Sequence, residues 1–172
     1  ISFNQNGQFD KQAQFPIEEI TFSQTTFLCS GVQGTSDGYS LIMNGIYWTD
    51  DNQFSDVEFI KLDNNFNLKF HRTFDQNDKL ICKDYAVFED KLHLVGYTGN
   101  EFNLDGFIMK LDGDGNILTN TTLKTFGLEN RSLGYSIEVL NEGYISIAGI
   151  TKYTAPNSGE LYFGISNPDG DF

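Results

Sequence analysis

Phe107-Ile108-Met109-Lys110-Leu111-Asp112-Gly113-Asp114-Gly115-Asn116-Ile117 is an apolar run, a short polar turn and the start of a second apolar run. Short apolar runs bounded by turn residues read as strands, and an Asp/Gly/Asn centre supplies the positive-φ residues of a tight hairpin. The phrase recurs at Phe59-Ile60-Lys61-Leu62-Asp63-Asn64-Asn65-Phe66-Asn67-Leu68, where the Lys-Leu-Asp triplet lies 49 residues earlier. A degenerate copy closes the sequence, Tyr162-Phe163-Gly164-Ile165-Ser166-Asn167-Pro168-Asp169-Gly170-Asp171-Phe172, and a fragment opens it, Ile1-Ser2-Phe3-Asn4-Gln5-Asn6-Gly7-Gln8-Phe9.

A second phrase precedes each hairpin: Asp37-Gly38-Tyr39-Ser40-Leu41-Ile42-Met43-Asn44-Gly45, then Lys91-Leu92-His93-Leu94-Val95-Gly96-Tyr97, then Glu142-Gly143-Tyr144-Ile145-Ser146-Ile147-Ala148-Gly149. Upstream again lie Thr26–Cys29, Tyr85–Phe88 and Tyr135–Val139, which read as first strands. The unit is four short strands in ~50 residues, with third strands expected at 57–62, 106–111 and 161–165. The one helix-like stretch, Pro16 to Ile20, is a single turn.

Four antiparallel strands every ~50 residues predict an all-β protein built as a β-propeller-like array of blades. The two phrases together resemble the propeller-type repeats of secreted and surface proteins, whose usual form is DGGYIIAG followed by a FVIKLDSDGN-like hairpin. The resemblance spans nearly the whole chain and is best over 84–126. It implies a single domain, 1–172, of about three and a half repeats: a partial one at 1–15, then about 18–75, 79–126 and 132–172. No Trp-Asp, paired-Gly or quinoprotein signature of other propellers occurs.

The 172 residues carry 24 acids against 11 bases, a formal charge of −13. Such a surface repels phosphate backbones and anionic membranes, so no nucleic-acid partner is expected. No run of ~18 apolar residues is present, so no membrane insertion by a helix is expected. The start at Ile1, without Met, is expected of a processed product or an excised domain.

Catalytic chemistry has little foothold, and no enzyme, metal or cofactor is expected. The two histidines are isolated: His93 alternates with Leu92 and Leu94 as a polar-face residue, and His71 reads as a surface residue. Asp112-Gly113-Asp114-Gly115-Asn116 has oxygen ligands at alternate positions, but Ile117 stands where an EF-hand-type loop needs Gly, so hairpin-turn chemistry is the reading. Cys29 and Cys82 sit at like points of neighbouring first strands, too far apart for a bridge, and are expected as two buried free thiols.

Three sets of binding candidates remain. Trp48, Tyr97 and Tyr153 end second strands beside Asn and Asp, as a sugar ring would select, although blade packing is the favoured reading and only Trp48, in a charged loop, leans towards binding. Asn120 and Asn130 head sequons beside the outer strand of the middle repeat, where a glycan would shield an exposed edge. Ile1, Phe3, Phe9 and Phe15 could seat on an unfinished blade near Phe172 of another copy.

The expectation is therefore a non-enzymatic structural or interaction module of a secreted or cell-surface protein, which self-associates or binds another surface protein. A filament joined head to tail by strand complementation is the sharpest form of it. A glycan-binding propeller module and an excised half of a larger propeller are the alternatives.

Overall fold

The computed structural model describes residues 2–3, 9–11, 25–48, 53–74, 79–99, 104–123, 132–152 and 159–167. The strands are β1 (Ser2–Phe3), β2 (Phe9–Lys11), β3 (Thr25–Thr35), β4 (Gly38–Trp48), β5 (Gln53–Leu62), β6 (Leu68–Phe74), β7 (Lys79–Phe88), β8 (Lys91–Gly99), β9 (Leu104–Leu111), β10 (Ile117–Leu123), β11 (Ser132–Val139), β12 (Ile145–Lys152) and β13 (Gly159–Ser166). Strands β3–β6 form a first sheet and β7–β10 a second, each in chain order and four-stranded. Strands β11–β13 form a third sheet of three strands, and β1 and β2 pair in a separate two-stranded sheet. Every pairing is antiparallel.

All three expected third strands are present as β5, β9 and β13. Their hairpins are built from one chemical device, used twice. Asp63 Oδ1 accepts from the backbone N–H of Asn65 and of Asn67, and its Oδ2 from the Asn67 amide, each at 2.8 Å. Asp112 does the same with Asp114 and Asn116, at 2.7–3.0 Å. These bonds to the ionised form hold both carboxyl groups below the usual carboxylate range. The turn's positive-φ position is Gly115 in one hairpin and Phe66, at φ 65°, in the other. Phe66 is held there by a parallel stack on Tyr39, with ring centroids 4.8 Å apart.

The first strand of each sheet carries an irregularity at the same place. The register slips between Cys29 and Gly31, between Cys82 and Asp84, and between Gly134 and Ser136. The extra residues, Ser30, Lys83 and Tyr135, bend the strand and increase its twist, as β-bulges do.

The second sheet lies between the other two and gives each of its faces to a different core. Leu92, Leu94, Phe107, Met109 and Leu111 pack with Ile42, Val57 and Phe59 of the first sheet. The alternate positions, Val95 and Ile108, pack with Ile137, Ile145 and Ile147 of the third. The strand period of two sends neighbours to opposite cores, and each fully buried side chain contributes about 1.5–3 kcal/mol of apolar transfer. Gly134 permits the close approach of β11: a Cβ there would stand 2.3 Å from Val95 Cγ2.

Burial corrects three expectations, in two directions. His93 is 2% exposed, between the second and third sheets, because β8 has no solvent face. His71 is half-buried, its Nε2 2.6 Å from Oε2 of the buried Glu58. Both cysteines are free thiols, but only Cys82 is buried; Cys29 is exposed, since β3 is covered less completely than β7. The stretch 16–20 lies outside the described residues.

Candidate functional site

The two sheet–sheet junctions have different polar chemistry around a common apolar plan. Between the first and second sheets, side chains grip backbone. Asn44 Nδ2 donates to Cys82 O at 2.8 Å while Asn44 Oδ1 accepts from Cys82 N–H at 2.7 Å. Gln33 does likewise one turn of the pleat away, its Nε2 donating to Tyr85 O at 2.5 Å and its Oε1 accepting from Val87 N–H at 3.0 Å. Ser30 Oγ adds a bond to Cys82 O, and Tyr85 OH donates to Ser40 O. β7 is an edge strand of its sheet, so its outward backbone groups have no ladder partner, and neighbouring amide side chains satisfy them.

Between the second and third sheets the earlier sheet again grips the next, now through a carboxylate. Asp84 Oδ2 accepts from Ser136 Oγ and from Ile137 N–H at 3.0 and 3.1 Å. Lys83, the bulge residue, lies over the rings of Tyr97 and Tyr135 at 5.4 and 5.8 Å. A cleft of about 160 Å³ remains at the hairpin end of this junction, lined by Phe88, Lys91, His93, Lys110 and Gly143 among others. Burial, then Lys110 and Lys91, push the His93 pKa down to about 4, so the ring is neutral near pH 7.

The outer face of the third sheet breaks the series. Counted from each bulge, Ile42 pairs with Phe59, Val95 with Ile108, and Ala148 with Phe163. The first two pairs are buried under the next sheet, whereas Phe163 is 70% exposed and Ala148 is exposed. Leu161 and Ile165 continue the same face of β13, at 86% and 51% exposure. No other strand among the described residues exposes three apolar side chains on one face. An open groove lined by Glu138, Val139, Leu140, Tyr144 and Ile165 borders the row. Contiguous exposed apolar surface of this kind marks interaction sites.

The residues expected from the sequence are placed unevenly. Tyr97 is half-buried beneath Lys83 at the second junction, its pKa raised by burial, rather than on an open binding face. Trp48 ends β4, and its side chain lies outside the described residues, as does Tyr153. Asn120 is exposed within β10 itself, opposite Met109, while Asn130 lies outside the described residues. Phe3 pairs with Phe9 in the two-stranded sheet, and Ile1, Phe15 and Phe172 lie outside the described residues.

The row Leu161, Phe163, Ile165 was missed as a site. The signal was in the sequence: apolar residues at alternate positions flank Tyr162 and Gly164, so both faces of this strand are apolar, as in the middle sheet. No family model matches this chain, and no curated protein matches it.

Proposed function

We propose that this chain is a non-enzymatic structural or interaction module, an array of propeller-type blades that associates through its third sheet. One observation carries the reading. Three equivalent cross-strand pairs follow the three bulges, two of them buried under the next sheet and the last, Ala148–Phe163, bare. A face of that composition is a core face, and covering it is favourable by the same apolar transfer that holds the other two junctions.

The resemblance of the repeat phrases to those of secreted and surface propellers supports the class of module. Among the described residues the third sheet has three strands, against four in the first and in the second, which leaves one of its edge strands a candidate for pairing. An unpaired edge is a template for strand addition, and the partial repeat at 1–15 carries strand-forming residues of the kind that would fit one. Sedimentation velocity over a hundredfold concentration range tests the module reading. The expected result is mass-action association; a monomer at every concentration, with no shift on adding a second protein from the same source, rejects it.

A further inference from the structure

The cleft at the hairpin end of the second junction is built by strand period and register. Lys91 and His93, two apart on β8, share one face, and Lys110 of β9 stands opposite His93. The β7–β8 turn brings Phe88 and Glu89 to the same place, and the turn before β12 brings Glu142. The first sheet closes the equivalent place from within. There Ser40 stands opposite Lys61, whose Nζ lies 2.8 Å from both Asp37 and Thr35. In the second sheet the acid just ahead of the second strand, Asp90, accepts from Ser36 of the first sheet instead, and about 160 Å³ stays open.

The floor of this cleft is His93, which is 2% exposed and whose Nδ1 is buried with no hydrogen-bond partner. Native proteins leave few such atoms, and each calls for a ligand, a water or a role. At the mouth, the Lys91 and Glu89 side chains are 42% and 68% exposed and 3.9 Å apart, and an exposed pair at that distance holds neither group firmly. Glu89 and Glu142 take positive φ, 49° and 65°, which turns usually give to Asn or Gly. Both carboxylates thus reach the cleft at a conformational cost. Two amines and two carboxylates balance in charge, which selects against a bare anion or a bare cation. Donors, acceptors and the Phe88 ring together suit a small ring that carries hydroxyls at its edge and C–H groups on its faces. A hydroxyl both donates and accepts, so it can pair with either tautomer of a neutral imidazole.

Whether or not the chain associates, we propose that this cleft binds one neutral pyranose ring, with Phe88 against a ring face, Lys91, Lys110, Glu89 and Glu142 around the hydroxyls, and His93 beneath.

Nuclear magnetic resonance on the whole chain at pH 7 decides the matter, because His93 and His71 are its only two histidines and their ring signals are followed separately. The probes are glucose, galactose, mannose and N-acetylglucosamine, with sodium phosphate and glycine as the anionic and zwitterionic rivals. The expected result is a saturable shift at His93 with at least one sugar, with a Kd of about 1–10 mM, and no shift at His71. Lys91→Ala and Glu142→Ala should each weaken it more than fivefold, and Lys69→Ala on β6 should leave it unchanged. The substituted side chains reach solvent, and a far-ultraviolet spectrum verifies that each variant is folded. No saturable shift at His93 with any of the four sugars means a cleft filled by water and overturns the proposal. Saturation by phosphate or glycine without any by a sugar overturns it too, as does sugar binding indifferent to both Lys91→Ala and Glu142→Ala.

Discussion

Asn44 is where the junction between the first and second sheets is most exposed to a single change. Its amide holds the buried Cys82 backbone at both ends, donating to the carbonyl and accepting from the N–H. Replacement by Ala removes both bonds, together with a third from Asn44 Nδ2 to Ser30 Oγ at 2.9 Å, but not with equal effect. Cys82 O keeps the Ser30 hydroxyl at 2.8 Å, whereas Cys82 N–H loses the acceptor that Asn44 provides. A buried donor left unsatisfied costs about 1–3 kcal/mol, and loss of a shared bond to the carbonyl adds about 0.5–1. Asn44→Ala should therefore destabilise the fold by about 1.5–4 kcal/mol, or about 3–16 °C in Tm for a chain of this size. Ser30→Ala leaves both Cys82 groups bonded through Asn44 and should cost about 1 kcal/mol or less. Urea unfolding followed by far-ultraviolet circular dichroism gives the two values, and amide exchange at Cys82 localises the loss. If Asn44→Ala costs no more than Ser30→Ala, the side-chain grip on the bulge does not hold the sheets together and the argument fails.

Three further outcomes are expected. His93 has a folded pKa of about 4 against 6.5, so the unfolded chain binds more protons between those values; stability is full above pH 6.5 and falls by up to about 3 kcal/mol on acidification to pH 4. His93→Leu should flatten that window in urea titrations, leaving only the loss below about pH 4 that the depressed carboxyls cause; an unchanged pH slope would contradict the burial argument. At Phe66, positive φ makes Gly the better truncation: Phe66→Gly relieves about 1–2 kcal/mol of backbone strain that Phe66→Ala retains, while both lose the Tyr39 stack. Thermal melts should rank Gly above Ala, and the reverse order would place the turn elsewhere. Passage through a eukaryotic secretory pathway should add a glycan at the exposed Asn120, read as a mass decrease on enzymatic deglycosylation that Asn120→Gln reduces by one glycan.

Much of this architecture was legible because it depends on local chemistry. Asp63 and Asp112, each four residues ahead of an Asn, mark hairpins whose bonds lie within the turn, and alternating apolar residues mark the strands between them. The bulges at Ser30, Lys83 and Tyr135 were not legible, because a bulge is defined by the partner strand's register. Asn44 and Gln33 looked like polar strand residues; their partners are 38 and 52–54 residues away. His93 was misplaced for a related reason. Alternation with Leu92 and Leu94 correctly assigns it to the opposite face, but says nothing about whether a third sheet covers that face. The bare row on β13 is the converse case, since the period reveals two apolar faces and only the fold reveals which is left open.

Amide hydrogen exchange on the intact chain, at about 1 µM and again near 500 µM, tests the claim that a buried middle sheet is flanked by a third sheet awaiting a partner. Strands β8 and β9 should be the most protected at both concentrations, and protection of β12 and β13 should be lower at the first and rise at the second. Protection of β13 equal to that of β8 at low concentration, or indifferent to concentration, would contradict it.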